Sequence, residues 1–276
     1  MREARYYWPE PSTGDVMKLV KTEDAELRCE HTVRPGAPAL LMLNSLGTSL
    51  EMWDDQFEAL SERYELIRFD ARGHGKSTLG SREDLTMEQL ARDAVAVLDG
   101  CGVARAHLCG LSIGGMMAMQ IATLWPDRVL KIALASTAPY MPTREMWQTR
   151  IDTVRAQGVA PLIDAILARW FTPEFRAAQP QTVERIRAML LETNPKGYAA
   201  LATAIRDMDQ RESIRAITAK ALVIGGTKDP STTPADAKLI ADSIPDARLV
   251  MLEGQHLVNI EQAAEFTTTL LDFLAA

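Results

Sequence analysis

The sequence predicts a doubly wound, mostly parallel α/β sheet with an inserted helical cap, and three observations predict it. Short apolar runs alternate with segments of helical spacing over residues 39–138 and again over 214–276, the rhythm of β-α-β units whose strands are buried on both faces. One such run passes through Gly110-Leu111-Ser112-Ile113-Gly114 into a helical segment, the strand–turn–helix order of a nucleophile elbow. Residues 139–213 hold no strand-like run, only helical segments punctuated by Pro142, Pro161, Pro173, Pro180 and Pro195. The chain therefore divides into a first core part (1–138, with 1–14 as an N-terminal arm), a helical cap (139–213) and a second core part (214–276).

The arm is rich in aromatics and prolines; docking on the domain, docking on a partner subunit in a homo-oligomer, and disorder are all compatible with it. Val16–Lys21 and Ala25–Thr32 can pair across the turn-prone Thr22-Glu23-Asp24. Ala39–Leu43 is continuously apolar and ends in the sharp turn Asn44-Ser45-Leu46-Gly47-Thr48, and Glu51–Glu62 follows with helical spacing. Leu66–Phe69 is the next strand, running into Asp70-Ala71-Arg72-Gly73-His74-Gly75, and Met87–Leu98 is a helix. Ala106–Cys109 leads to Ser112, Ile113–Leu124 is the helix behind it, and Val129–Ala135 is again a buried strand. In the cap, Glu145–Gln157, Ala160–Arg169, Thr182–Thr193 and Gly197–Arg206 read as helices; strand Ala221–Ile224, helix Ala235–Ser243, strand Ala247–Leu252 and helix Gln262–Leu274 complete the core.

Of 276 residues, 47% are apolar and 24% charged, ordinary for a chain with a substantial core. A net charge of −7 argues against nucleic acid or an anionic membrane as partner, while a local pocket can still take an anionic small molecule. Three cysteines at unrelated spacings form neither a disulfide framework nor a zinc site. The N-terminus carries no apolar signal region, and no run approaches the ~20 apolar residues that cross a bilayer, so a cytoplasmic location is expected. No metal cluster or phosphate-binding loop is visible, and no cofactor is expected.

A serine hydroxyl needs a base to take its proton, and the base needs an orienting acid. The chain has four histidines. His31 and His107 fall inside strands and read as structural; His74 sits in a turn at a strand end; His256 follows the last strand on a loop at the carboxyl edge, where open α/β sheets place their sites. His256 also completes the order Ser, acid, His, and is taken as the base. Asp229, on the loop after Ala221–Ile224, is the expected acid, because the end of Val129–Ala135 carries Ser136-Thr137-Ala138 and no carboxylate. Asp207 and Asp209 read as solvated residues or salt-bridge partners on a cap helix. An oxyanion needs two amide donors, expected from Ile113, next to the serine, and from Leu46 in the turn after Ala39–Leu43. Cys109 lies before the turn and is no substitute nucleophile.

The segments Leu43-Asn44-Ser45-Leu46-Gly47-Thr48, Met52-Trp53-Asp54, Phe69-Asp70-Ala71-Arg72-Gly73-His74-Gly75 and Gly110-Leu111-Ser112-Ile113-Gly114-Gly115-Met116 resemble the 3-oxoadipate enol-lactonases of the α/β-hydrolase fold. So do the cap pieces Arg169-Trp170-Phe171-Thr172-Pro173, Gly197-Tyr198-Ala199 and Ala204-Ile205-Arg206-Asp207-Met208-Asp209, and the segment His256-Leu257-Val258-Asn259-Ile260-Glu261-Gln262. The elbow and the Arg-Gly-His-Gly turn are common to many α/β hydrolases; the cap pieces and the Asn-Ser-Leu-Gly turn are narrower. The resemblance implies hydrolysis of an enol-lactone to 3-oxoadipate in aromatic-compound breakdown, with Ser112 opening the ring through an acyl-enzyme and His256 protonating the departing enol oxygen. It also implies a carboxylate on the substrate and so a cation in the pocket: Arg144, Arg150 and Arg206 are the candidates, with Trp147 as an apolar wall. The family's arginine-bearing segment after Ser136-Thr137-Ala138 is replaced here by Pro139-Tyr140-Met141-Pro142. Competing readings are a carboxylesterase or other lactonase on the same residues, a carbon–carbon bond hydrolase, and a ligand receptor on the same fold.

Overall fold

A computed structural model describes residues 15–276; the N-terminal arm expected over residues 1–14 lies outside the described residues. The strands are β1 (Asp15–Lys21), β2 (Glu26–Thr32), β3 (Ala39–Leu43), β4 (Glu65–Phe69), β5 (Ala106–Leu111), β6 (Val129–Ala135), β7 (Lys220–Gly226) and β8 (Arg248–Leu252). They form one sheet in the order β1-β2-β4-β3-β5-β6-β7-β8, antiparallel only where β1 meets β2 and β2 meets β4. The reversal of order at β3 and β4 is that of a doubly wound sheet. β3 and β5 are buried along their whole length, which is why β3 reads as an unbroken apolar run and β5 departs from one at His107.

The core helices are α1 (Asp54–Ser61), α2 (Met87–Gly100) and α3 (Ile113–Leu124). The chain between β6 and β7 contributes α4 (Arg144–Gln157), α5 (Ile163–Trp170), α6 (Pro173–Ala178), α7 (Pro180–Glu192) and α8 (Pro195–Asp207). The end of the chain adds α9 (Pro234–Ser243), α10 (Val258–Glu261) and α11 (Ala263–Ala275). Starts follow capping chemistry: Thr86 and Gln89 form a capping box at α2, Thr233 and Asp236 another at α9, and Asn194 caps α8 ahead of Pro195.

Several expected boundaries shift. The span Glu51–Glu62 begins as a 3₁₀ turn, Leu50–Trp53, before α1, and Ala160–Leu162 is likewise 3₁₀ ahead of α5, since short 3₁₀ turns commonly open helices. α6 and α10 were not expected; with six and four residues they are too short to show an apolar stripe. Asp209 is not helical but bridges to Tyr140.

That bridge, with Gln210 N–H donating to Pro139 O at 2.8 Å, pins the two roots of the α4–α8 insertion together. The insertion then lies over the carboxyl ends of the strands. Thr193 Oγ1 donates to Gly47 O at 3.1 Å, Leu85 N–H to Thr203 Oγ1 at 3.0 Å, and Leu257 N–H to Trp170 O at 3.1 Å. Among the described residues no helix is long and apolar enough to cross a membrane.

Candidate active site

Because β3, β5, β7 and β8 run parallel, their carboxyl ends open on one edge and deliver Leu46, Ser112, Asp229 and His256 to it. At the centre, β5 turns into α3 through Ser112, whose φ of 58° lies in the left-handed region, a strained setting for a residue with a Cβ. The turn closes only because its flanks are glycine. A Cβ on Gly110 would sit 2.2 Å from Gly114 O, and one on Gly114 would sit 2.1 Å from Leu43 O. Ser112 N–H donates to Ala135 O at 3.0 Å and Thr137 Oγ1 to Ser112 O at 2.7 Å, so β6 clamps the strained residue from the side.

Asp229 and His256 come together because the loops after β7 and β8 are laced: Thr227 N–H donates to Leu252 O at 2.8 Å and Lys228 N–H to Gly254 O at 2.9 Å. His256 Nδ1 lies 2.8 Å from Asp229 Oδ2, which fixes Nδ1–H as the donor and leaves Nε2 as the free ring nitrogen. Asp229 also accepts from Ser231 N–H at 2.8 Å, Thr232 N–H at 3.1 Å and Thr232 Oγ1 at 2.7 Å. Burial opposes the Asp229 charge, but the His256 ring and these donors outweigh it and hold the carboxyl below its ordinary range. The His256 ring stacks on Trp170 with centroids 6.2 Å apart, and Glu261 braces the loop by accepting from Gln255 N–H at 2.8 Å and Thr172 N–H at 3.1 Å.

Leu46 lies in a turn fixed from below. Asn44 Nδ2 donates to Phe69 O at 2.7 Å, Trp53 Nε1 to Asn44 Oδ1 at 2.9 Å and Thr48 Oγ1 to Ser45 O at 2.8 Å. Ile113 is the first residue of α3, so its N–H has no partner within the helix. Neither the Leu46 nor the Ile113 amide donates to any group among the described residues. Two free N–H groups beside one serine hydroxyl can receive a developing oxyanion.

Ser112, His256, Ser45 and Leu46 line one cavity of about 460 Å³, roofed by Tyr140, Met141, Met146, Trp147, Arg150, Arg169, Trp170 and Ile205. Of the expected cap residues, Trp147 and Arg150 face this cavity. Arg144 and Arg206 do not, and that expectation is corrected: both are spent on Asp207, and Arg206 also donates to Gln148. Arg169 was not singled out from sequence, yet it lines the cavity beside Arg150. Burial, reinforced by the Arg150 charge, lowers the Arg169 pKa. Arg150 reaches the Tyr198 hydroxyl with one nitrogen and lies over the Trp147 ring at 5.2 Å, but its Nε and the Trp147 Nε1 are buried without partners among the described residues. Neither arginine has a carboxylate at ion-pair distance among the described residues. Thr232 and Glu261 were also missed; a threonine three residues after an aspartate is a faint turn signal that could have found the first.

The remaining histidines stay apart from the cavity. His31 bonds Glu65 at 2.6 Å and His107 meets Tyr64 edge-on. His74 is buried with Nδ1 on Arg72 O at 2.9 Å, and burial lowers its pKa to about 4, so its ring is neutral.

With this geometry in hand, comparison with known proteins is specific. Residues 38–263 match the family model described as "alpha/beta hydrolase fold". A 3-oxoadipate enol-lactonase of Acinetobacter baylyi is 36% identical over 229 residues, covering 83% of this chain and 85% of that one. The crystal structure of the enol-lactonase from Burkholderia xenovorans LB400 superposes with a TM-score of 0.89 at 38% identity, covering 91% and 97% of the two chains. A thermophilic esterase from Thermogutta terrifontis, solved with malate bound, gives a TM-score of 0.86 at 26% identity, covering 95% and 98%.

Proposed function

The chain belongs to the 3-oxoadipate enol-lactonase family of the α/β-hydrolase fold and is a hydrolase, and from that premise we propose that it opens a small carboxylate-bearing enol-lactone, 3-oxoadipate enol-lactone by family, at Ser112. The observation that supports this most is one cavity holding both Ser112 with His256 and two arginines that have no carboxylate partner among the described residues. Asp229 orients His256 and stabilises its charged form; His256 Nε2 takes the Ser112 proton as Oγ attacks the ring carbonyl. The oxyanion is received by the Leu46 and Ile113 amides. The ring C–O bond breaks, His256 returns the proton to the departing enol oxygen, and the acyl group stays on Ser112. Water, deprotonated by His256, then releases the opened acid. Arg150 and Arg169 hold the substrate's carboxylate through charge-assisted hydrogen bonds, and Trp147 Nε1 supplies a further donor. No cofactor enters any step.

A second reading, a carboxylesterase of small esters, is favoured by the apolar part of the roof, Met141, Met146, Trp147 and Trp170. Turnover on the enol-lactone against p-nitrophenyl esters separates the two. Efficient lactone opening that falls when the lactone's free carboxylate is methylated supports the first reading; brisk ester hydrolysis with negligible lactone opening overturns it in favour of the second.

A further inference from the structure

Far from the cavity, β2 and the end of α2 bring two of the three cysteines together. In the β1–β2 register Lys18 stands opposite Cys29, and His31 lies two residues further along β2 on the same face as Cys29. The carboxyl end of α2 packs against that face, so that Cys101, the residue capping α2, meets Cys29 with the sulfur atoms 3.8 Å apart and 72 positions apart in sequence. Cys29 is fully buried, whereas Cys101 is half-buried. Lys18 Nζ sits at the same spot, 3.2 Å from Gly100 O and 3.1 Å from His31 Nδ1.

We propose that Cys29 and Cys101 are an oxidative modification site, at which hydrogen peroxide converts the pair into an intramolecular disulfide. The two roles differ by environment. The hydrogen bond from Cys29, opposed by burial and helped by His31 and Lys18, lowers the Cys101 thiol pKa. The same bond and burial raise that of Cys29, as does the nearby Glu30, against Lys18. Thiolate character and access select the sulfur that meets an oxidant, and both select Cys101. Its thiolate attacks one peroxide oxygen; the O–O bond breaks, hydroxide leaves, and Cys101 becomes a sulfenic acid. The Cys29 sulfur then attacks the Cys101 sulfur as Cys29 gives up its proton; the S–O bond breaks and the oxygen leaves as water. In sum the two thiols lose two electrons and two protons, and the peroxide leaves as two waters. The sulfurs must close from 3.8 Å to the ~2.05 Å of a disulfide, a movement that Cys101 at a helix end can make more easily than a mid-helix residue. The product ties the β1–β2 edge to α2, and neither cysteine lines the cavity. The effect belongs to stability, not to turnover.

The test treats the full-length protein with a few equivalents of hydrogen peroxide. Expected are a mass lower by ~2 Da, a cross-linked peptide containing Cys29 and Cys101, and a Tm raised by ~5–10 °C. The buried Cys109 remains the free thiol, ester turnover stays within ~2-fold, and dithiothreitol reverses every change. Cys101→Ser should abolish the cross-link and the Tm rise, and in Cys29→Ala dimedone should trap Cys101 as the sulfenic acid. Should Cys29→Ala fold poorly, the Cys101→Ser comparison and the peptide map decide alone. A Cys101 oxidised to sulfinic acid with Cys29 still free, a disulfide between two chains, a link to Cys109, or an unchanged thiol count overturns the proposal.

Discussion

The cavity has two walls built on opposite terms. On the sheet side, the side chains that set the geometry are held from within the wall: Asp229 takes bonds from His256, Ser231 and Thr232, and the turn bearing Leu46 is held by Asn44, Trp53 and Thr48, while the Leu46 and Ile113 amides are left free among the described residues. On the cap side, Arg150 Nε and Trp147 Nε1 are buried without partners among the described residues, and the exposed Arg169 has no carboxylate at ion-pair distance among them. A buried donor left unmet costs roughly 1–3 kcal/mol, so a ligand oxygen that meets these two donors is favoured. The contrast suggests a division of labour. On the proposed reading, the sheet edge meets charge that develops during reaction, and the cap meets charge that the substrate brings. The two sides should therefore fail differently when altered.

The largest effect is expected at Ser112. Ser112→Ala should lower turnover by about 10⁴–10⁶-fold while leaving affinity for a carboxylate-bearing lactone within a few-fold by calorimetry, because the arginines are untouched. Loss of binding in step with turnover would erase the distinction between the walls. Next come His256→Ala and Asp229→Asn, each costing on the order of 10⁴-fold in kcat, seen in steady-state rates at saturating substrate. If His74→Ala abolished activity while His256→Ala did not, the base would lie elsewhere.

The sheet side was legible in the sequence because its signals are local or set by chain order. Gly110 and Gly114 flank Ser112 at fixed spacing, and β7 and β8 end just before Asp229 and His256, so alternation alone places them at one edge. The cap was legible as helices but not as a wall. Arg206 was attractive in a segment resembling the family, yet it precedes Asp207, and the structure shows both Arg206 and Arg144 consumed by that carboxylate. Arg150 and Arg169 have no acidic residue three or four positions away, the spacing at which helical ion pairs form. That absence was readable, but which helix face met the cavity was not, since it depends on how α4, α5 and α8 pack.

On the cap side, Arg150→Met and Arg169→Met should each lower kcat/KM for the carboxylate-bearing lactone by ~10–10²-fold, mostly through KM, as expected for hydrogen bonds to a charged group. p-Nitrophenyl acetate should be hydrolysed within ~2-fold of the parent rate. A matching loss on the neutral ester would mean that the arginines shape the wall and do not read charge. Smaller still is Thr232→Val, which removes one donor from Asp229 but keeps the His256 bond; a fall in kcat of ~10-fold is expected. That donor also helps hold the Asp229 carboxyl below its ordinary range. A depressed carboxyl stabilises the fold above its unfolded pKa and loses that contribution as pH falls through the folded value. In Thr232→Val the loss on acidification should be smaller and should be complete at higher pH, measured by urea unfolding from pH 6 to pH 3.

The smallest effect on activity, and the sharpest separation of two histidines on the same edge, is expected at His74. Burial holds its pKa near 4, against 6.5 for a free ring. Between those values the unfolded chain binds a proton that the folded chain refuses, so stability must rise with pH across that window. Asp70 works against this: burial and the nearby Glu51, opposed by Arg28 and by the Lys76 and Leu50 amides, raise its carboxyl to about 6. There the folded chain binds the extra proton, and stability falls as pH rises from about 4 to 6. In the parent protein these two slopes oppose each other. His74→Asn keeps a donor for Arg72 O but does not titrate, so it should unmask the Asp70 slope. Relative to the parent it should gain on the order of 2 kcal/mol between pH 7 and pH 4.5, read from denaturant midpoints at the two pH values, with ester turnover at pH 7 within ~2-fold. Equal pH dependence in the two proteins would mean that the His74 ring is charged when folded, and that the sheet edge is less dry than its neighbours make it.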